Sequence, residues 1–212
     1  MKKICVIDYG VNNISSICKA LKKINEDYVV VSEKDQIANF SNIILPGVGS
    51  FDSGMNVMKK KGFDVSLKKA ASKGQFILGI CLGMQLLFNK SEESIENIDG
   101  LNIIKGIVSK IKSDNFNNIY VPHIGWNSLK LPEGREQWDG TLLNNVIPGE
   151  SVYFVHSFMA EVSSSEHQIA NCLYGGIKIS AVIGSGNIIG CQFHPEKSGD
   201  VGLKILKHFI NL

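Results

Sequence analysis

Phe76-Ile77-Leu78-Gly79-Ile80-Cys81-Leu82-Gly83-Met84-Gln85-Leu86-Leu87-Phe88 is the stretch whose reading decides the fold. Residues 76–80 form an apolar run as long as one buried strand, and from Met84 the pattern turns helical. One cysteine stands at the junction, with a glycine two residues away on each side. A strand-to-helix turn with a nucleophile at its apex needs a strained backbone and neighbours without side chains. It also sets the sulfur at the positive end of a helix, where negative charge is favoured. A buried structural cysteine would suit the same residues, and the stretch alone leaves both readings open.

Upstream, residues 4–7 form a compact apolar strand ending in Asp8-Tyr9-Gly10. Ile14, Ile17, Cys18, Leu21 and Ile24 recur at helical spacing, with Lys19, Lys22 and Lys23 opposite. Residues 28–31 and 43–45 are the next strands, and the second runs into Pro46-Gly47-Val48-Gly49. A helix over 65–71 precedes the strand that feeds Cys81. Continuous apolar runs suit parallel strands covered on both faces. This rhythm predicts an α/β fold, an open, mostly parallel sheet with helices on both faces. Ligands of such sheets bind beyond the carboxyl ends of the strands, so Asp8, residues 47–49 and Cys81 should share one edge.

After Phe88 the character changes. Residues 91–99 are acidic and polar, hence a loop. Residues 107–111, 126–131, 152–158, 169–173, 177–183 and 188–193 read as strands, and 113–118 as a polar turn. Strands joined by turns predict an antiparallel addition beside the parallel core. Val201, Ile205, Leu206, Phe209 and Ile210 stripe a closing helix. No linker or repeat divides the chain, so residues 1–212 are expected to form one domain.

Composition narrows the function classes. The chain is 44% hydrophobic and 20% charged, with a net charge of +2. Nothing there calls for nucleic acid or an anionic membrane. Arg135 is the sole arginine, which argues against a surface built to grip phosphates bidentately. Lys59-Lys60-Lys61 reads as a solvated helix end. The five cysteines are odd in number, irregular in spacing and lack a C-x-x-C pair, against a disulfide framework or a zinc site. No metal or cofactor is expected. The first apolar run is too short for a signal peptide, and no stretch reaches the length of a membrane span. These features predict a cytoplasmic protein.

Two further stretches bear on chemistry. In Gln192-Phe193-His194-Pro195-Glu196-Lys197-Ser198, Pro195 biases His194 toward an extended backbone, in which residues i and i+2 face the same way. One imidazole and one carboxylate then project together, as a nucleophile, base and orienting acid require. In Pro46-Gly47-Val48-Gly49 two glycines follow a strand end. They let backbone amides approach a ligand and stabilise an oxyanion, or they simply make a tight turn.

Taken together, Gly79-Ile80-Cys81-Leu82-Gly83-Met84-Gln85, Pro46-Gly47-Val48-Gly49 and Phe193-His194-Pro195-Glu196 resemble the class I (triad) glutamine amidotransferases, which have a flavodoxin-like core. The resemblance spans nearly the whole chain. It implies glutamine hydrolysis with Cys81 as nucleophile, His194 as proton carrier and Glu196 holding His194. It places the oxyanion hole at the backbone of Val48 and Leu82, and glutamine binding at Gly49, Gln85, Glu93, Ser157 and Phe158. Within that class, residues 8–13, 122–127, 153–157 and 194–198 resemble the glutaminase subunits of imidazole glycerol phosphate synthase, an enzyme of histidine biosynthesis. That implies a heterodimer with a separate (β/α)₈ cyclase fed by channelled ammonia, with Asn13, His123, Trp126 and Lys197 toward the partner. The chain departs from the pattern at Asn12, where glycine is usual, at Phe158-Met159, where tyrosine is common, and over 133–141. Three alternatives stay open: a paralogous subunit that supplies ammonia for amidation of a bacterial surface sugar, a stand-alone cysteine hydrolase, and a non-catalytic scaffold.

Overall fold

A computed structural model describes residues 4–11, 13–114 and 119–212. Asn12 and most of the expected polar turn at 113–118 lie outside the described residues. Among the described residues, seven strands form the main sheet. They are β1 (Ile4–Ile7), β2 (Val29–Val31), β3 (Asn42–Gly47), β4 (Phe76–Cys81), and, late in the chain, the three strands from Gln168–Tyr174, Ile177–Ser185 and Ile188–Cys191. With β5 (Lys90–Ser91), β6 (Gly106–Lys110), β7 (His123–Ser128), β8 (Ser151–His156) and β9 (Phe158–Val162) between, those three are β10, β11 and β12. The main sheet runs β10-β11-β12-β4-β3-β1-β2. From β12 to β2 every pairing is parallel; β10 and β11 extend the sheet antiparallel.

Alternation along the strands explains the two-faced core. Ile4 and Val6 of β1, with Leu78 and Ile80 of β4, pack with α1 (Ile14–Lys23) and the closing helix Gly199–Asn211. Cys5 and Ile7, with Ile43, Leu45 and Ile77, face the opposite layer. That layer is α2 (Phe51–Lys61), α3 (Phe63–Ser72) and the single turn α4 (Leu82–Gln85), so the closing helix is α5. The mostly parallel α/β sheet is as expected. The antiparallel part is more divided: beyond β10 and β11 it comprises a three-stranded sheet β5-β6-β9 and a separate hairpin β7-β8.

The pattern reading differs from the structure in three elements. Of the helix over residues 51–61 the sequence reading anticipates only the end, although Phe51, Met55 and Met58 lie on one buried face and Ser50 accepts from the Ser53 amide as its cap. Its last turn holds exposed Lys59, Lys60 and Lys61, the solvated helix end expected from the sequence. The helix after Cys81 stops after one turn. The amides of Leu101, Ile103 and Ile104 donate to the carbonyls of Leu86 and Leu87, and that of Asn102 to the Phe88 carbonyl, so the chain turns there instead of continuing. The strand read over 152–158 breaks at Ser157, giving β8 and β9 in different sheets.

Candidate active site

Register brings the site together. Gly47 at the end of β3 lies opposite Cys81 at the end of β4, and on the other side Cys191 of β12 pairs with Ile80. Three strand ends thus form one rim, as expected for 47–49 and Cys81. Cys81 has φ 54° and ψ −112°, a strained conformation that turns its side chain out of the sheet. The turn is possible because a Cβ on Gly83 would lie 2.0 Å from the Leu45 carbonyl oxygen, and one on Gly79 would lie 2.7 Å from that of Gly83. Only hydrogen fits at either position.

His194 enters from the far end of the chain. Its backbone is extended (φ −100°, ψ 97°), as Pro195 predicts, but residues Pro195–Lys197 then form a 3₁₀ turn rather than a strand. The turn, not strand alternation, brings His194 Nδ1 to 2.8 Å from Glu196 Oε1. Both side chains are almost wholly buried, at 3% and 1% exposure. The His194 amide donates to the Tyr153 carbonyl, while the Ser198 hydroxyl donates to the His194 carbonyl and accepts from the Tyr153 amide. Ser198 thus clamps the histidine to β8, a role that no spacing in the sequence signals. Burial by itself would lower the proton affinity of His194. Hydrogen bonding to Cys81 and Glu196, and their charges, outweigh it and push the pKa up to about 10. The imidazole therefore holds a proton between sulfur and carboxylate.

A cavity of about 390 Å³ opens over Cys81. Val48, Gly49, Leu82, Gln85, Glu93, Ser157, Phe158 and His194 line it, so every residue expected to bind glutamine or its oxyanion faces the same space. Glu93 is no free surface charge: its carboxylate accepts from the Phe51 amide at 2.7 Å. Burial raises its pKa, the Phe51 amide lowers it, and Asp52 raises it, for a net rise. One expectation is only half met. The Val48 amide donates to the Val11 carbonyl at 3.5 Å, so it points away from an oxyanion. Leu82 starts a helix, and the first amides of a helix have no partner within it.

The residues expected on a partner face divide. Trp126 is 59% exposed and Lys197 is exposed, while Asn13 is part-buried and accepts from the Ser16 hydroxyl. His123 is 2% exposed and stacks between Phe154 and Tyr174, which corrects its assignment to a surface. Its Nδ1 is 3.0 Å from His156 Nε2, and His156 Nδ1 is 2.8 Å from the Phe158 carbonyl oxygen. That carbonyl can only accept, so His156 donates from Nδ1 and receives the His123 proton at Nε2. Burial pushes His123 down to about 4. It pushes His156 down to about 3, against the Phe158 hydrogen bond and helped by His123 and His194. His156 also lines the cavity, yet no spacing in the sequence singles it out.

Residues 5–212 match the family described as glutamine amidotransferase class-I. The chain belongs to that family, whose members act as glutaminases. It is 42% identical over 210 residues to a Bacillus mycoides protein named imidazole glycerol phosphate synthase subunit HisH, covering 97% of this chain and 93% of that one. A Lactococcus lactis protein of the same name is 42% identical, covering 99% and 98%. Among solved structures, one titled as PurLQS from Thermotoga maritima superposes with a TM-score of 0.71 at 22% identity, covering 100% of this chain and 99% of that one. A crystal structure titled as a glutamine amidotransferase superposes at 0.73 with 15% identity, covering 98% and 97%. These two share the fold.

Proposed function

We propose that the chain is the glutaminase subunit of an imidazole glycerol phosphate synthase, hydrolysing glutamine and passing ammonia to a (β/α)₈ cyclase partner. The observation that carries the chemistry is the buried His194 between Cys81 and Glu196, on the floor of a cavity with Glu93 at its wall. Glutamine enters with its ammonium toward Glu93 and its side-chain amide over Cys81. The sulfur forms a bond to the amide carbon, and the carbonyl electron pair moves to oxygen. His194 gives its proton to the amide nitrogen, the C–N bond breaks and ammonia leaves. His194 then takes a proton from water, whose oxygen attacks the thioester carbon. The oxyanion electron pair re-forms the carbonyl, the C–S bond breaks, and glutamate leaves with the sulfur as thiolate beside the protonated His194, as at the start. Glu196 holds the imidazole orientation throughout.

The Leu82 amide and a turned Val48 amide stabilise the oxyanion. The bond that now holds Val48 to Val11 is at the long limit for an amide hydrogen bond, so turning it costs little. Turnover waits on that turn, and the partner favours it. Trp126, Lys197 and Asn13 are the residues assigned to the partner's side. The test is glutamate release from the chain alone and with the co-purified cyclase, alongside formation of imidazole glycerol phosphate. Strong stimulation with product formation is expected. Equal rates with and without the cyclase would instead make the protein a stand-alone hydrolase. Stimulated release without that product would move the nitrogen to another acceptor.

A further inference from the structure

Gln192 has no part in the reaction above, yet it is fully buried beside the nucleophile. Cys191 pairs with Ile80 across β12 and β4, so one step further along each chain brings Gln192 alongside Cys81. Its amide nitrogen lies 3.8 Å from Cys81 Sγ, and its amide oxygen is 3.0 Å from Gln85 Nε2.

Which end of that amide meets the sulfur follows from its neighbours. The Phe158 carbonyl can only accept, so the Gln85 group 3.1 Å away is the NH₂ end. The second hydrogen of that NH₂ points at Gln192 and must find an oxygen there. The Gln192 nitrogen is left to face the sulfur. Each orientation is forced by the one before it, starting from a backbone atom with a single possible role. Gln192 is wholly buried, so its amide cannot turn to water for a partner.

An N–H aimed at sulfur supports the negative charge of the attacking form and holds the side chain in one rotamer. The sulfur also lies 3.8 Å from the Val155 carbonyl oxygen, to which the thiol donates, so Val155 and Gln192 together fix its direction. We propose that Gln192 is a positioning residue for the glutaminase reaction, orienting the Cys81 sulfur by an N–H whose direction is set through Gln85 and the Phe158 carbonyl. This rests on the glutaminase reading above. Gln85 and Phe158 also line the cavity, so substrate binding and sulfur orientation share one hydrogen-bonded chain.

Gln192→Glu and Gln192→Met, each measured in the full chain with its co-purified partner, test the assignment. Glutamate at 192 keeps the length and an oxygen for Gln85, but turns an oxygen without hydrogen to the sulfur. Methionine keeps the volume and offers no donor, and serves if the buried carboxylate prevents folding. The expected result is a fall in kcat for glutamate release of about tenfold or more, the size of one charge-assisted hydrogen bond, with KM for glutamine within about threefold. Folded variants with unchanged kcat would overturn the proposal. So would a raised KM at unchanged kcat, which would mean that Gln192 only holds Gln85. Absence of glutamate release from the wild-type complex would instead remove the glutaminase reading, a result distinct from wild-type turnover with unaffected variants.

Discussion

His194 is the residue whose state depends most on its neighbours. Without Glu196 its ring would lose both a hydrogen bond and a charge, leaving Cys81 alone to offset burial and nothing to hold Nδ1. Glu196→Gln should therefore cut glutamine turnover by on the order of 10²–10⁴, as when a triad's orienting acid is neutralised. Steady-state glutamate release measures this, and near-wild-type kcat would exclude the orienting role. Glu93 poses a different question, because its carboxylate is spent on the Phe51 amide until a cation arrives. Glu93→Gln should raise KM about tenfold or more, the value of one charge-assisted contact, with a smaller change in kcat. A lower kcat at constant KM would place Glu93 outside ammonium binding.

At the scale of elements, the turn after β4 concentrates the strain. Gly83 touches the Leu45 carbonyl so closely that Gly83→Ala has no room, and α4 cannot move without opening the core layer that holds Leu82 and Met84. Backbone shifts of that kind cost roughly 1–3 kcal/mol, or about 2–12 °C in Tm for a chain of this size. Calorimetry of Gly83→Ala should show such a loss; an unchanged Tm would show that the turn is slack. Strand β4, the turn and the α/β rhythm were legible because parallel strands leave unbroken apolar runs and because glycine must stand where backbones touch. The short helix after Cys81 was not legible as short: every residue from Leu82 to Phe88 is buried, so its apolar pattern continues past the last helical bond. The meeting of His194 with Glu196 could be anticipated from their spacing, though it comes from a 3₁₀ turn rather than a strand. His156 and Ser198 escaped because their roles arise from contacts between β8 and distant segments.

For the whole molecule, three buried histidines set the response to pH. His123 and His156 stay neutral in the fold down to about 4 and about 3, against an ordinary value of 6.5. Below 6.5 the unfolded chain binds protons that the folded one refuses, so their contribution is lost as pH falls from there. His194 works in the opposite direction: its contribution is complete below 6.5 and is lost as pH rises toward about 10. Chemical denaturation across pH should show greatest stability near 6.5, with decline on both sides; Glu196→Gln should flatten the alkaline side. A curve flat from pH 5 to 9 would contradict this. Among the described residues, no helix is long and apolar enough to cross a membrane. The five cysteines are all free, and burial pushes Cys5 and Cys172 up to about 12 and Cys191 well above its ordinary value. Cys81 alone among the five lines the cavity over the triad. The most direct measurement is mass spectrometry after exposure to an electrophilic glutamine analogue. One adduct on Cys81, formed in step with loss of glutamate release, is the predicted result; an adduct on any other cysteine that abolishes turnover while Cys81 stays unmodified would contradict it.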